Sequence, residues 1–138
     1  QACLEGMKNA GYGRIINIIS TSVKEPLEGL GVSNTIRGAV ASWAKTMANE
    51  LGPFNITVNN ILPGATNTDR LQELIKIKAE KKRVKVSIIE NEWKSKIPMN
   101  RFADPSEIAA AVAFLASPAA SYINGINLPV DGGRLSCL

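Results

Sequence analysis

The sequence predicts an α/β protein built on a doubly wound parallel sheet. Three apolar runs have the length of strands and are bounded by turn residues: 15–19, 56–62 and 126–130. The first run is almost continuously aliphatic, which is typical of a strand that is buried on both faces of a parallel sheet. Helical patterns separate the runs, and this alternation indicates right-handed crossovers between parallel strands.

The first two elements are a short helix and a strand. Residues 1–10 carry apolar side chains at helical spacing, and Gly11 and Gly13 end that helix. The run Ile15–Ile19 then forms the first buried strand, which ends at Ser20.

A long helix is predicted from Ser33 to Leu51, and Gly52-Pro53 ends it. Its large apolar residues recur at helical spacing and are expected to face the core: Ile36, Val40, Trp43, Met47 and Leu51. Another side carries small or polar residues that would let a second helix approach closely: Ala41, Ser42, Ala48 and Asn49.

The second half of the chain holds two further strands and the helices between them. Pro63-Gly64 stops the strand 56–62, and the segment from Arg70 to Trp93 reads as one or two polar, lysine-rich helices. Asp104-Pro105-Ser106-Glu107 is a strong helix start, because Asp104 can cap and Glu107 can complete a capping box. That helix ends near Ser117-Pro118, before the last strand at 126–130.

The composition excludes several classes of site. The chain has no histidine, which removes Ser-His and Cys-His catalysis, and Cys3 and Cys137 alone predict neither a metal site nor a disulfide framework. A cytoplasmic location is the simplest expectation, with no membrane span in any apolar run. The formal charge is +4, and the lysines between Lys76 and Lys96 fit a solvated helical face better than a nucleic-acid surface.

Strands that are buried on both faces need further strands beside them, and this sequence predicts only three. The chain also begins inside a helix and without a methionine. We therefore expect it to be the C-terminal half of a larger nucleotide-binding domain.

Polar residues follow the first two strands, where ligands bind in doubly wound sheets. Ser20 follows the first strand, and Pro63-Gly64 leads to Thr66 and Thr68 after the second. Gly64 would let backbone approach a ligand, and the amides and hydroxyls of Thr66 and Thr68 could hold an amide or a phosphate. Two purely structural interpretations stay open. The Ser20 hydroxyl could hydrogen-bond to backbone groups at the end of the strand, and Pro63-Gly64 could be only a turn.

Ser33 and Arg37 stand one helical turn apart, so their side chains share one face of the long helix. Two alternatives stay open here as well. Ser33 could be the N-cap of the helix, and Arg37 could be a surface residue.

Four spaced motifs resemble the short-chain dehydrogenase/reductase family. They are residues 13–20, residues 59–64 followed by Thr68, residues 101–109, and Val130-Asp131-Gly132-Gly133. The resemblance implies a Rossmann-like doubly wound parallel sheet, of which residues 1–138 would be the C-terminal half of a single NAD(P)-binding domain. Residues 70–97 would be the variable substrate lid, and the glycine-rich N-terminal half would be absent.

By this resemblance the chain is an oxidoreductase that moves hydride between NAD or NADP and a carbonyl or alcohol substrate. Ser20 would polarise oxygen, Arg37 would hold the ribose, and the segment Pro63, Gly64, Thr66 and Thr68 would position the nicotinamide. The family carries a tyrosine and a lysine where Ser33 and Arg37 stand, so Ser33 or a water must supply the proton. The alternative is a catalytically impaired nucleotide-binding or assembly protein. Family members pair through the long helix, which implies a homodimer or a homotetramer, with no nucleic-acid or membrane partner.

Overall fold

The computed structural model describes residues 2–137. The helices and strands follow one another in this order: α1 (Leu4–Ala10), β1 (Gly13–Ile18), α2 (Gly31–Leu51), β2 (Ile56–Pro63), α3 (Asp69–Lys82), α4 (Val86–Lys94), α5 (Pro105–Ala116) and β3 (Asn127–Val130). The predicted alternation of strands and helices is therefore confirmed, with boundaries that differ by a few residues. No helix in the described part of the chain is both long and apolar enough to cross a bilayer.

The three strands form one parallel sheet in the order β1-β2-β3. The central strand β2 is buried from Ile56 to Leu62, as its apolar run predicts. Strands β1 and β3 are mostly half-buried, because each has a neighbour on one side only. Ile18, the last residue of β1, is 52% exposed, so aliphatic surface lies open along this edge.

Helix α2 covers the sheet mainly with its small residues, which corrects part of the predicted core stripe. Its buried residues are Ala41, Ala44, Ala48 and Leu51. Ile36 and Trp43 are 59% and 49% exposed, although both were expected to face the core. The alanines let the helix backbone lie close to β2. The prediction is confirmed for Leu51, which is buried, and Val40 and Met47 pack half-buried against the core. It is wrong for Ile36 and Trp43, which are turned away from the sheet.

A ladder of asparagine side chains crosses the sheet under α2. Asn17 Nδ2 donates to Asn60 Oδ1 at 2.9 Å, and Asn60 Nδ2 donates to Asn127 Oδ1 at 2.8 Å. The three residues are register partners on β1, β2 and β3. Asn60 is 3% exposed, so this amide has no access to water and depends on its two neighbours.

Helices α3 and α4 form a hairpin with its own apolar cluster. The buried members of the cluster are Ile75, Ala79, Ile89, Ile97 and Phe102. Trp93 packs against this cluster, whereas Ile88 is 52% exposed. The sequence leaves open whether Ile88, Ile89 and Trp93 face a substrate or pack on the sheet. Ile89 and Trp93 pack, although they do so within the hairpin and not on the sheet.

Helix α5 begins with the predicted capping box. Asp104 accepts a hydrogen bond of 2.8 Å from the N–H of Ser106, and Glu107 accepts one of 2.8 Å from the N–H of Asp104. Arg101 donates to both carboxylate oxygens of Glu107, at 2.6 and 2.7 Å. The Arg101 guanidinium and the Asp104 N–H together lower the pKa of Glu107 to about 2.

This lowered pKa predicts a pH dependence of stability. A carboxyl group whose pKa is lower in the folded state stabilises the fold above its unfolded pKa, and this contribution is lost as the pH falls toward the folded value. We expect the free energy of unfolding of Glu107→Gln to change less than that of the wild type between about pH 4.5 and pH 2. Urea titrations at low ionic strength over this pH range measure the free energy of unfolding of both proteins. Glu28→Gln removes an exposed carboxyl that has no ion pair within residues 2–137 and should keep the wild-type dependence.

Candidate active site

Ser20 lies two residues after the end of β1 in extended backbone, with φ −173° and ψ 155°. Its Oγ accepts a hydrogen bond of 3.1 Å from the N–H of Ser22 and so caps the short 3₁₀ turn Thr21–Val23. The backbone role considered for this hydroxyl is thus present in the structure. Within residues 2–137 no acceptor takes the hydroxyl proton, which leaves it available to a substrate oxygen.

Ser33 and Arg37 lie together at the end of β1. Arg37 Nε donates to Ser33 Oγ at 3.1 Å, and Arg37 Nη1 donates to the backbone carbonyl of Ile19. The half-buried guanidinium therefore ties the first turn of α2 to the residue before Ser20. The reading of Ser33 as an N-cap is wrong, because Leu30 occupies that position and Ser33 is the third residue of the helix.

An apolar cleft of about 850 Å³ lies between the free edge of β1 and the start of α2. Ile18, Leu30, Val32 and Ile36 contribute to its walls, and Ser33 and Arg37 are its polar side chains. None of Pro63, Gly64, Thr66 and Thr68 lines this cleft.

The segment after β2 lies beside Ser20 through the sheet and is held by β3. The N–H of Ile19 donates to the carbonyl of Ile61 at 3.0 Å, so the two strand ends are neighbours. Gly64 donates to the carbonyl of Val130 at 3.0 Å. A Cβ on Gly64 would lie 2.7 Å from the Cα of Asp131, so this glycine makes room for the Asp131 backbone.

The two threonines have local structural roles. Thr66 Oγ1 donates to the carbonyl of Gly64 at 3.3 Å, and Thr68 Oγ1 accepts from the N–H of Leu71 at 3.3 Å as the N-cap of α3. Their hydroxyls are therefore used within the chain. The backbone N–H groups of Ala65, Thr66 and Thr68 donate to no acceptor within residues 2–137, so the free donors here are backbone amides.

The close approach at Gly64 predicts that a methyl group there is destabilising. We expect Gly64→Ala to lower the free energy of unfolding by about 1–3 kcal/mol, because the Asp131 backbone cannot move away without disturbing β3. Gly38→Ala is the matched control. No atom lies within 4 Å of a Cβ built at Gly38, and alanine is a better helix former, so this change should stabilise α2 by roughly 0.5–1 kcal/mol. Chemical denaturation measures both changes, and equal effects would contradict the packing role of Gly64.

Comparison with known proteins identifies the family of this fold. The sequence profile of the family described as enoyl-(acyl carrier protein) reductase matches residues 1–134. The chain belongs to the short-chain dehydrogenase/reductase family. The NADPH-dependent reductase BacG of Bacillus subtilis is 36% identical over 132 residues, which are 96% of this chain and 51% of that relative. The 3-oxoacyl-[acyl-carrier-protein] reductase FabG of Vibrio cholerae is 37% identical over 135 residues, covering 96% of this chain and 50% of FabG.

Solved structures of the same family superpose closely on the chain. YwfH, described as an NADPH-dependent reductase involved in bacilysin biosynthesis, matches with a TM-score of 0.89 at 36% identity over 96% of this chain and 50% of that one. An NAD⁺-bound xylitol dehydrogenase matches with a TM-score of 0.85 at 29% identity, over 96% of this chain and 53% of that one. The α/β, Rossmann-like prediction is confirmed. The chain spans about half the length of the relatives it matches.

Two features of the site were not found from the sequence. One is the Ile19 carbonyl as an acceptor for Arg37, which is a backbone group and leaves no signal in the residue pattern. The other is the asparagine ladder. The sequence did carry a signal for the ladder, because each predicted strand contains an asparagine. Each asparagine stands three residues before the residue named with it: Asn17 before Ser20, Asn60 before Pro63 and Asn127 before Val130.

Proposed function

We propose that the chain is the nicotinamide-binding half of an NAD- or NADP-dependent oxidoreductase that acts on a carbonyl or alcohol substrate. Membership of the family supports the class of reaction, since the relatives include NADPH-dependent reductases and structures that hold NADPH or NAD⁺. The observation that carries the proposal is that Arg37 binds both Ser33 and the carbonyl of Ile19, the residue before Ser20. Residues 70–97, which contain the α3–α4 hairpin, form the substrate lid in this proposal.

The donors at the strand ends fit a nicotinamide nucleotide. Arg37 spends two of its five N–H donors on Ser33 and Ile19, so its remaining donors can hold ribose hydroxyls. The free N–H groups of Thr66 and Thr68 suit the carboxamide oxygen of the nicotinamide. When bound, the cofactor supplies hydride to a carbonyl carbon or accepts it from an alcohol.

The proton must come from a group other than the family's tyrosine. Ser20 donates its free hydroxyl proton as a hydrogen bond to the substrate oxygen and so stabilises the negative charge that develops there. Ser33 Oγ accepts from Arg37, which leaves its hydroxyl proton free to bond outward. An aliphatic hydroxyl is a weak acid, and an arginine does not give up a proton in proteins. In this proposal Ser33 therefore relays a proton to the substrate oxygen from a bound water that regains its proton from bulk solvent, so that no hydroxide remains in the site.

The second candidate is a nucleotide-binding or assembly protein without hydride transfer. The observation in its favour is the bond from Arg37 to the Ile19 carbonyl, which gives the guanidinium a structural role that needs no substrate. The exposed apolar stripe on α2 fits an assembly role as well as an enzyme dimer. Val32, Ile36 and Trp43 are 78%, 59% and 49% exposed, and we propose that a second copy covers them in a homodimer or homotetramer.

Single-turnover hydride transfer in the full-length protein tests the proposal. NAD(P)H fluorescence reports cofactor binding, and absorbance reports transfer to a panel of carbonyl compounds. We expect binding and turnover in the wild type. Ser33→Tyr/Arg37→Lys supplies a phenol and an ammonium group, so it should remain active and acquire a different pH profile. A wild type that binds NAD(P)H and reduces nothing, with activity only in the double variant, would establish the second candidate instead.

The compartment is a further part of the proposal. Cys3 and Cys137 are exposed and not bonded to each other, as thiols are in a reducing environment. These two thiols support the cytoplasm as the location of the protein.

A further inference from the structure

The net charge of the chain resides in the α3–α4 hairpin. Between Asp69 and Lys96 there are nine basic and five acidic residues, a formal charge of +4 that equals the charge of the whole chain. The remaining residues are therefore balanced. A concentration of one sign on a single hairpin produces a local field that attracts acidic partners.

Most of the hairpin cations without an ion pair lie at its tip. Four basic residues of the hairpin are paired: Arg70 with Glu73, Lys82 with Glu92, Lys94 with Glu90 and Lys96 with Glu92. Along α3, Lys76 and Lys78 have no ion pair within residues 2–137. Lys81, Arg83 and Lys85 have no carboxylate within 4.0 Å in the described part of the chain. Because three neighbouring like charges repel one another, internal stability gives no reason for this arrangement.

The tip holds these cations on a defined turn together with apolar side chains. Arg83 adopts the left-handed conformation (φ 55°), and hydrogen bonds to the Glu80 and Ala79 carbonyls close the end of α3. Val84 and Val86 alternate with the cations and are 37% and 41% exposed. We define residues 81–86 as the basic turn.

We propose that the basic turn is a docking surface for an acidic protein that presents carboxylates around a small apolar patch. Alternating cations and half-exposed valines match such a surface in both charge and polarity. Single-stranded nucleic acid needs an aromatic ring for stacking, and Trp93 is covered by the Lys78 ammonium group, 5.1 Å from its ring centroid. A membrane needs large apolar side chains that can insert, whereas the apolar side chains of the basic turn are two small valines.

The position of the basic turn separates it from the nicotinamide segment. Helix α3 has 14 residues and rises about 21 Å between Thr68 and the basic turn. A partner at the tip would therefore contact the lid without occupying the cofactor site. Experiments can therefore disprove the docking proposal without disproving hydride transfer, and the reverse.

Binding of labelled acidic polypeptides to the full-length protein tests the proposal. The probes are poly-L-glutamate and a random copolymer of glutamate and tyrosine, followed by fluorescence anisotropy at several salt concentrations. We expect Lys81→Glu/Lys85→Glu to weaken binding at least about tenfold, since it reverses two of the unpaired charges. The matched control Lys8→Glu/Lys45→Glu makes the same change in net charge outside the hairpin and should weaken binding less than about threefold.

The apolar contribution is tested separately. The copolymer should bind more tightly than poly-L-glutamate, and Val86→Ser should remove the difference. If the tip double variant is not folded by circular dichroism, Lys81→Gln/Lys85→Gln replaces it. Equal weakening in both double variants would show that only net charge matters and would overturn the proposal. So would tighter binding of oligo-dT or of phosphatidylglycerol vesicles at the basic turn. The affinity for NAD(P)H should be unchanged in all these variants, whether or not the protein catalyses hydride transfer.

Discussion

Replacing Ser20 with alanine is expected to lower the rate of hydride transfer about 10²–10³-fold, the loss that follows removal of one preorganised hydrogen-bond donor at a developing oxyanion. The Ser20 hydroxyl already accepts from the Ser22 N–H, so its orientation is set before substrate binds. NAD(P)H binds through other groups in the proposed site. The dissociation constant for NAD(P)H should therefore change little, and the loss should appear in kcat.

Ser22→Ala is the matched control for this prediction. Ser22 is 3% exposed, and its Oγ is buried without a hydrogen-bond partner in the described part of the chain. Removing an unsatisfied buried hydroxyl leaves stability unchanged or raises it, and it should leave kcat unchanged. Equal losses of kcat in the two variants would show that the 3₁₀ turn as a whole is disturbed and that the Ser20 hydroxyl has no specific role.

Replacing Asn60 with alanine is expected to lower the free energy of unfolding by about 2–4 kcal/mol. The change removes the acceptor for Asn17 and the donor for Asn127, and it leaves both amides without a partner in the sheet. It also removes a side chain that lies between Val58 and Leu62 on the face that α2 covers. Buried polar networks are costly when only partly satisfied.

Urea denaturation of the full-length protein measures this loss. Asn91→Ala, an exposed asparagine on α4 whose side chain makes no hydrogen bond within residues 2–137, should change stability by less than about 0.5 kcal/mol. If Asn60→Ala also costs less than this amount, the ladder contributes nothing to holding the three strands together.

Local patterns were sufficient to place most elements of the fold. The predicted strand that ends at Leu62 is fully buried, and the Asp104 capping box has the predicted bonds. In both cases the deciding interactions lie within a few residues of each other or repeat along one element. The i,i+4 spacing likewise placed Ser33 beside Arg37, since helix geometry alone determines that distance.

The sequence by itself determined the parallel sheet, the order of its elements, the family and the pairing of Ser33 with Arg37. Only the tertiary structure decided which face of α2 meets the sheet, that Gly64 makes room for Asp131, and that Arg37 also binds the Ile19 carbonyl. The physical reason is distance along the chain. Helix and strand periods are local, whereas the space beside Gly64 and the acceptor for Arg37 come from residues that folding alone brings near.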